Sequence, residues 1–178
     1  MPRPVSEFAL VRQKYVLRSR VFDVRQESWH SADGTSFVRD TIVHRGAVAI
    51  LPFDRKGRIV LIRQFRPAVR EWLLEIPAGT LEKGERPLAC AKRELIEETG
   101  FTARQWKKLA VIYTTPGFCT ETIHLFEARN LRPASGEKDD DEQIEVAAMS
   151  MAHVRRAIRL GDICDAKTLS ALMCYATL

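Results

Sequence analysis

The sequence predicts an α/β fold, a mixed sheet between helices preceded by an N-terminal β-strand extension. Three observations lead to it. Short apolar segments bounded by turn residues recur along the first two thirds of the chain. Two segments of helical periodicity close it. Among those segments, residues 79–101 combine a glycine-bearing loop with a helix rich in carboxylates. At 178 residues the chain is long enough for one domain with a real core.

Taken in order, residues 15–24 and 36–43 read as strands, the second entered through the turn Ala32-Asp33-Gly34. Residues 47–53 and 58–65 are apolar runs joined as a hairpin by Asp54-Arg55-Lys56-Gly57. A helix then starts at Pro87, whose missing N–H costs nothing in a first turn, and stops at Gly100. Leu88, Ala91 and Leu95 recur at helical spacing and are expected to face the core. Strands follow at 107–114, 122–128 and near Glu145. Residues 151–160 are helical and end at Gly161; Asp165 caps a last helix with Leu169, Leu172, Met173 and Ala176 on one face. The division expected is an extension at 1–45, too poor in apolar residues for its own core, and a main domain at 46–178.

Net charge is +5 with the basic residues spread out, which suits small anionic substrates and gives no reason to expect nucleic acid. The four cysteines, Cys90, Cys119, Cys164 and Cys174, lack CxxC spacing and read as packing residues of a reducing compartment. Residues 1–13 contain no continuous apolar segment, and no run reaches membrane-spanning length, so a cytoplasmic protein is expected.

The chemistry concentrates on the helix. Glu94, Glu97 and Glu98 stand at i, i+3 and i+4, so their side chains meet on one region of its surface. Like charges so close repel one another, and a hard cation such as Mg²⁺ reverses that penalty. Gly79 and Gly84 let the loop before the helix turn tightly. Arg93 offers a bidentate partner for a carboxylate. A solvated, charge-rich surface helix is the plain alternative, but it leaves the regular spacing without a purpose.

Five residues separate Gly79 from Glu85 and seven separate Glu85 from Arg93; Arg93-Glu94-Leu95, Glu97-Glu98 and Gly100-Phe101 complete the pattern. Residues 79–101 thus resemble the box of the Nudix hydrolase family at every fixed position. The resemblance implies an α/β/α sandwich and hydrolysis of nucleoside diphosphates linked to another group. It implies Glu94, Glu98 and the Ala78 carbonyl as ligands of Mg²⁺, with Mn²⁺ as a substitute, and Glu97 at the same site; the number of converging carboxylates leaves room for more than one metal. Gly79, Glu85, Arg93 and Gly100 are then the structural positions of the box.

Pro116, sixteen residues after Gly100, with Gly117 and Glu121 after it, resembles the ADP-ribose pyrophosphatase branch, as does Trp72-Leu73-Leu74-Glu75-Ile76-Pro77-Ala78 before the box. Pro116-Gly117 also suits an ordinary turn. In that branch a glutamate matching Glu121 lies at the active site. The acidic stretch 136–146 resembles its catalytic loop, with Asp140 or Glu142 as general base and Glu142 as a further metal ligand. In other Nudix branches the base comes from the box helix, here Glu97. An acidic run is equally consistent with a solvated loop. Arg66 and Arg39 resemble substrate arginines, and Phe22 an adenine-stacking residue. The branch also implies a homodimer in which the N-terminal strands are exchanged. The expected reaction is ADP-ribose to AMP and ribose 5-phosphate. Alternatives are another Nudix substrate (GDP-mannose, NADH, a diadenosine polyphosphate, an RNA 5′ end) or a non-catalytic ADP-ribose-binding regulatory module.

Overall fold

The computed structural model describes residues 7–135 and 144–178, so the expectations placed on Asp140 and Glu142 fall outside the described residues. The chain forms two compact units. One holds the described residues up to Arg45 with Tyr113–Thr122, and the other Gly46–Ile112 with Ile123–Leu178.

The first unit is an antiparallel meander of β1 (Phe8–Arg18), β2 (Phe22–Ser31) and β3 (Ser36–His44). The single strand expected at 15–24 is therefore two strands and a turn. No glycine or proline marks that turn. Side chains make it, with the Ser19 hydroxyl accepting from the Phe22 N–H at 3.2 Å and Asp23 accepting from the Ser19 N–H at 3.4 Å. β1 is exposed along its whole length, including Phe8, Leu10, Val11, Val16 and Leu17.

The second unit has two sheets. β4 (Ala47–Pro52) runs parallel to β9 (Thr122–Pro133) and antiparallel to β7 (Ala78–Thr80), and β8 (Phe101–Tyr113) completes that mixed sheet beside β9. β5 (Ile59–Arg66) pairs antiparallel with both β6 (Glu71–Glu75) and β10 (Ile144–Met149) in the other. The hairpin expected between residues 47–53 and 58–65 exists only as a turn: Phe53 bridges Ile59, and the two strands then part into different sheets. The reason lies in their burial. β4 is buried at every residue, and a strand covered on both faces carries no alternation to identify its partner.

β4 divides the core. Ala47, Ala49 and Leu51 join Ile59, Leu61, Leu125, Val154, Ala171 and Leu172, packing α2 (Met151–Leu160) and α3 (Ala166–Thr177) on one face. Val48 and Ile50 point oppositely, with Val60, Phe126, Cys90, Ala91 and Leu95, packing α1 (Pro87–Thr99) on the other. This is the α/β/α sandwich with its mixed sheet.

Helix ends match the local signals. Gly100 and Gly161 take left-handed φ of 71° and 84°, Ser150 caps α2, and Asp165 caps α3. Two helix faces differ from expectation. Leu88 is 39% exposed, and Cys90 takes the buried place beside Ala91 and Leu95. In α3 Leu169 and Leu172 pack inward as expected, together with Thr168, Ala171 and Tyr175, whereas Met173 is 66% exposed and Ala176 is exposed. Hydropathy favours Met173, but tertiary packing prefers the polar Thr168, which has a buried hydrogen bond to make.

That bond lies where the chain changes sheets. Between β6 and β7 the Ile76 N–H donates to Thr168 Oγ1 at 3.0 Å, and the Pro77 carbonyl accepts from the Ile50 N–H at 2.8 Å. The crossover thus delivers Ala78 and Gly79 to α1. From its full burial, Leu95→Ala is expected to cost about 2–5 kcal/mol in denaturant unfolding, whereas Leu88→Ala stays within about 1 kcal/mol; equal costs would misplace the inner face of α1.

Candidate functional site

The box helix presents its carboxylates in two groups. Arg93 organises the first. Its Nε and Nη2 donate to the two oxygens of Glu85, each at 3.1 Å, in a bidentate fork. Its Nη1 lies 2.8 Å from Glu94 Oε1 and donates to Glu97 Oε2 at 2.8 Å. One cation therefore holds three carboxylates, two on α1 and one on the loop before it. Arg93 hydrogen bonding keeps the Glu85 carboxyl below its ordinary range, ahead of the smaller opposing effect of burial. The loop is closed by Glu82 N–H to Glu85 Oε2 at 3.0 Å and Glu85 N–H to the Glu82 carbonyl at 3.1 Å.

The second group is built on the backbone of β7. Glu98 is only 4% exposed, and its carboxylate accepts from the Ala78 N–H at 2.8 Å. The Glu94 carboxylate lies directly against Gly79: a Cβ there would overlap it. Glu94 and Glu98, one helical turn apart, thus both meet the Ala78–Gly79 backbone, and glycine is required for that approach. Cys90 fills the space beside them, its thiol 3.7 Å from the Thr80 carbonyl and its pKa pushed up to about 12 by burial and then by Glu94.

Among the described residues, no three His, Cys, Asp or Glu side chains converge into a ready-made cation cage. The donors here are two carboxylates beside a backbone. That incomplete hard-oxygen set fits Mg²⁺, which retains waters and completes its shell with substrate phosphate. The Gly79 approach fits it too, because a side chain there would displace Glu94. Glu97 is turned to Arg93, with its side chain 29% exposed.

Arg66 is not a loose surface cation. Its Nε and Nη2 donate to Glu75 at 2.9 and 2.7 Å, and Glu75 is fully buried. Lys167 contacts the same carboxylate. Burial raises the Glu75 pKa, but the Arg66 hydrogen bonds and the Lys167 charge outweigh it and the net shift is downward. The Arg66 pKa is raised by its hydrogen bonds to Glu75, with the charge of Glu98 contributing as well. Sequence reasoning missed Glu75 and Lys167. The signal available was one acid inside the apolar run Trp72-Leu73-Leu74-Glu75-Ile76.

The remaining candidates lie in the first unit. Arg39 stacks over Phe37 at 4.7 Å and lines a cleft of about 540 Å³ with Trp29, Glu27, Thr41 and Phe118. Pro116 and Gly117 border the same cleft, within a turn in which Phe118 and Cys119 N–H groups reach the Thr115 carbonyl. Phe22 instead borders a separate recess of about 170 Å³ with Val43 and Arg45, so it does not share the Arg39 cleft. Glu121 Oε1 lies 3.4 Å from His44 Nδ1, a partner the sequence does not suggest.

The NUDIX domain model matches residues 43–172. An ADP-ribose pyrophosphatase of Bacillus subtilis (strain 168) is 36% identical over 164 residues, covering 91% of this chain and 89% of its own. A GDP-mannose pyrophosphatase of Cronobacter sakazakii is 34% identical over 180 residues, covering 94% and 91%. A solved structure described as an ADP compounds hydrolase superposes with a TM-score of 0.87 at 25% identity, covering 99% of this chain and 96% of that one.

Because Glu85 ionises more readily when folded, its pairing with Arg93 stabilises the protein above its ordinary value of 4.5 and is lost as pH falls through the lower folded value. Glu85→Gln is expected to melt below wild type at pH 7, with the gap closing as pH falls below 4.5 through the lowered folded value. A gap independent of pH would contradict the pairing.

Proposed function

Since the chain belongs to the NUDIX family and is a Nudix pyrophosphohydrolase of the ADP-ribose pyrophosphatase-like branch, we propose that its substrate is ADP-ribose, cleaved at the diphosphate to AMP and ribose 5-phosphate. The observation that carries the site assignment is the meeting of Glu94 and Glu98 on the Ala78–Gly79 backbone. Those two carboxylates and the Ala78 carbonyl are the groups that would hold Mg²⁺, or Mn²⁺ in its place, with Glu142 as a further ligand. When bound, such an ion supplies neutralisation of the diphosphate charge and a lowered pKa for a coordinated water.

The protein's own groups do the rest. Gly79 keeps the backbone open to Glu94, and Arg93 with Glu85 and Gly100 sets the loop and helix at their angle. Arg66 offers its remaining N–H groups to a diphosphate oxygen. A carboxylate of Asp140, Glu142 or Glu97 takes the proton of the attacking water. Arg39 and Phe37, with Trp29, give the cleft a cation and flat apolar faces suited to a nucleoside. Glu121, which faces His44, and Phe22, which lies in the other recess, are assigned to substrate as well.

The exposed apolar face of β1 supports a homodimer built on the N-terminal strands, because a long uncovered strand invites pairing. Four free thiols accord with a reducing, cytoplasmic setting. Among the described residues no helix is long and apolar enough to cross a membrane.

A second substrate is favoured by the GDP-mannose pyrophosphatase relative at 34% identity. Hydrolysis of ADP-ribose, GDP-mannose, NADH and diadenosine polyphosphates with Mg²⁺, with products resolved by chromatography, separates the two. The expected result is preference for ADP-ribose with release of AMP, turnover by Glu98→Gln reduced about 10²-fold or more, and a two-chain species on sedimentation. Preference for GDP-mannose would replace the substrate; an active Glu98→Gln enzyme would remove the site; a monomer would remove the dimer.

A further inference from the structure

The start of α3, Asp165-Ala166-Lys167-Thr168, is tied into a buried charge network that the box chemistry leaves unexplained. Asp165 caps the helix by accepting from Thr168 N–H at 2.9 Å through Oδ2, and its Oδ1 accepts from Lys167 Nζ at 2.9 Å. Lys167 Nζ also donates to Glu75 Oε2, which Arg66 Nη2 shares at 2.7 Å. Arg66, Glu75, Lys167 and Asp165 thus form one chain of alternating charges, reaching from the end of β5 to the first turn of α3.

One feature of this network is out of keeping with a purely structural role. Its two cations balance its two carboxylates, yet Arg66 is only partly spent. Its Nε–Nη2 edge is occupied by Glu75, whereas among the described residues Nη1 makes no hydrogen bond, and the side chain is 36% exposed. A planar guanidinium clamped along one edge has its other edge fixed in direction. Glu75 ends β6, and the chain runs from it through Ile76 and Pro77 to Ala78, whose N–H meets Glu98; the Glu98 charge also contributes to raising the Arg66 pKa.

We propose that Lys167 is a positioning residue for substrate: by sharing Glu75, it holds Arg66 with its Nη1 edge presented to the diphosphate. Lys167 touches no substrate atom. Its two contributions act through Glu75 and Asp165. It occupies the Glu75 oxygen that Arg66 Nη2 also uses, so the carboxylate keeps one orientation. It also offsets the Asp165 charge, which would otherwise compete with a phosphate for Arg66. Buried pairs of this kind hold geometry more reliably than they add stability, and a clamp for an anionic group gains most from fixed geometry.

The inference rests on the reading of this site as one for nucleoside diphosphates, and the test keeps the two apart. Steady-state kinetics on ADP-ribose would compare wild type, Lys167→Met, Lys167→Arg, Arg66→Met and the double variant Arg66→Met/Lys167→Met. Loss of ground-state and transition-state binding alike raises KM and spares kcat. Lys167→Met is therefore expected to raise KM about tenfold with kcat within about twofold. Lys167→Arg should restore most of the loss. The double variant should show the KM of Arg66→Met alone, because Lys167 acts only through that arginine. Independent, additive effects, or a lowered melting temperature with KM unchanged, would overturn the proposal and leave the hydrolase assignment standing. If the wild type hydrolyses nothing, calorimetric binding of ADP-ribose to the same five proteins decides the matter: the same order of affinities supports the clamp, and unaltered or absent binding overturns it.

Discussion

Everything at the candidate site depends on one guanidinium shared among carboxylates. Glu94, Glu97 and Glu98 crowd one turn of α1, and like charges at that spacing oppose the helix. Arg93 removes the conflict by engaging Glu94 and Glu97 through Nη1 while its other edge locks onto Glu85. The same contacts fix the loop before the helix. Glu98 is stabilised differently, by the Ala78 N–H. The site is thus a negatively charged surface made tolerable from behind and left acidic where β7 passes beneath it.

The Ala78–Gly79 segment owes its place to packing farther away. The chain leaves one sheet at Glu75 and enters the other at Ala78. Proline at 77 cannot donate to either ladder, so the crossover is held by Ile76 on Thr168 and by the Pro77 carbonyl on Ile50. α3 therefore supports the site without contributing a candidate ligand. Glu75 at the end of β6 is where that support becomes electrostatic.

Local chemistry was legible in the sequence, and long-range pairing was not. Pro87, Gly100, Gly161 and Asp165 mark helix ends because caps act over one turn, and the box spacing identifies the carboxylates on α1. The turn between β1 and β2 escaped because serine and aspartate side chains build it without glycine or proline. The parting of β4 and β5 escaped because β4 and the first half of β5 are buried on both faces and have no period to read. The inward face of α3 was misplaced because hydropathy ranks Met173 above Thr168, while the buried Ile76 N–H needs a hydroxyl. The Arg66–Glu75–Lys167 contacts escaped because Glu75 and Lys167 lie 92 residues apart. Pattern along the chain carries no record of such a pairing.

Glu94 and Glu98, brought together on the Ala78–Gly79 backbone, are the proposed seat of the divalent cation, and the hydrolytic chemistry stands or falls with them. Titration of Mn²⁺ into the substrate-free protein, followed by water-proton relaxation, addresses that seat without reference to turnover. Binding by the wild type is expected to weaken about tenfold or more in both Glu94→Gln and Glu98→Gln, each variant losing one hard oxygen donor. Mn²⁺ affinity unchanged in both, with the fold intact by circular dichroism, would contradict it.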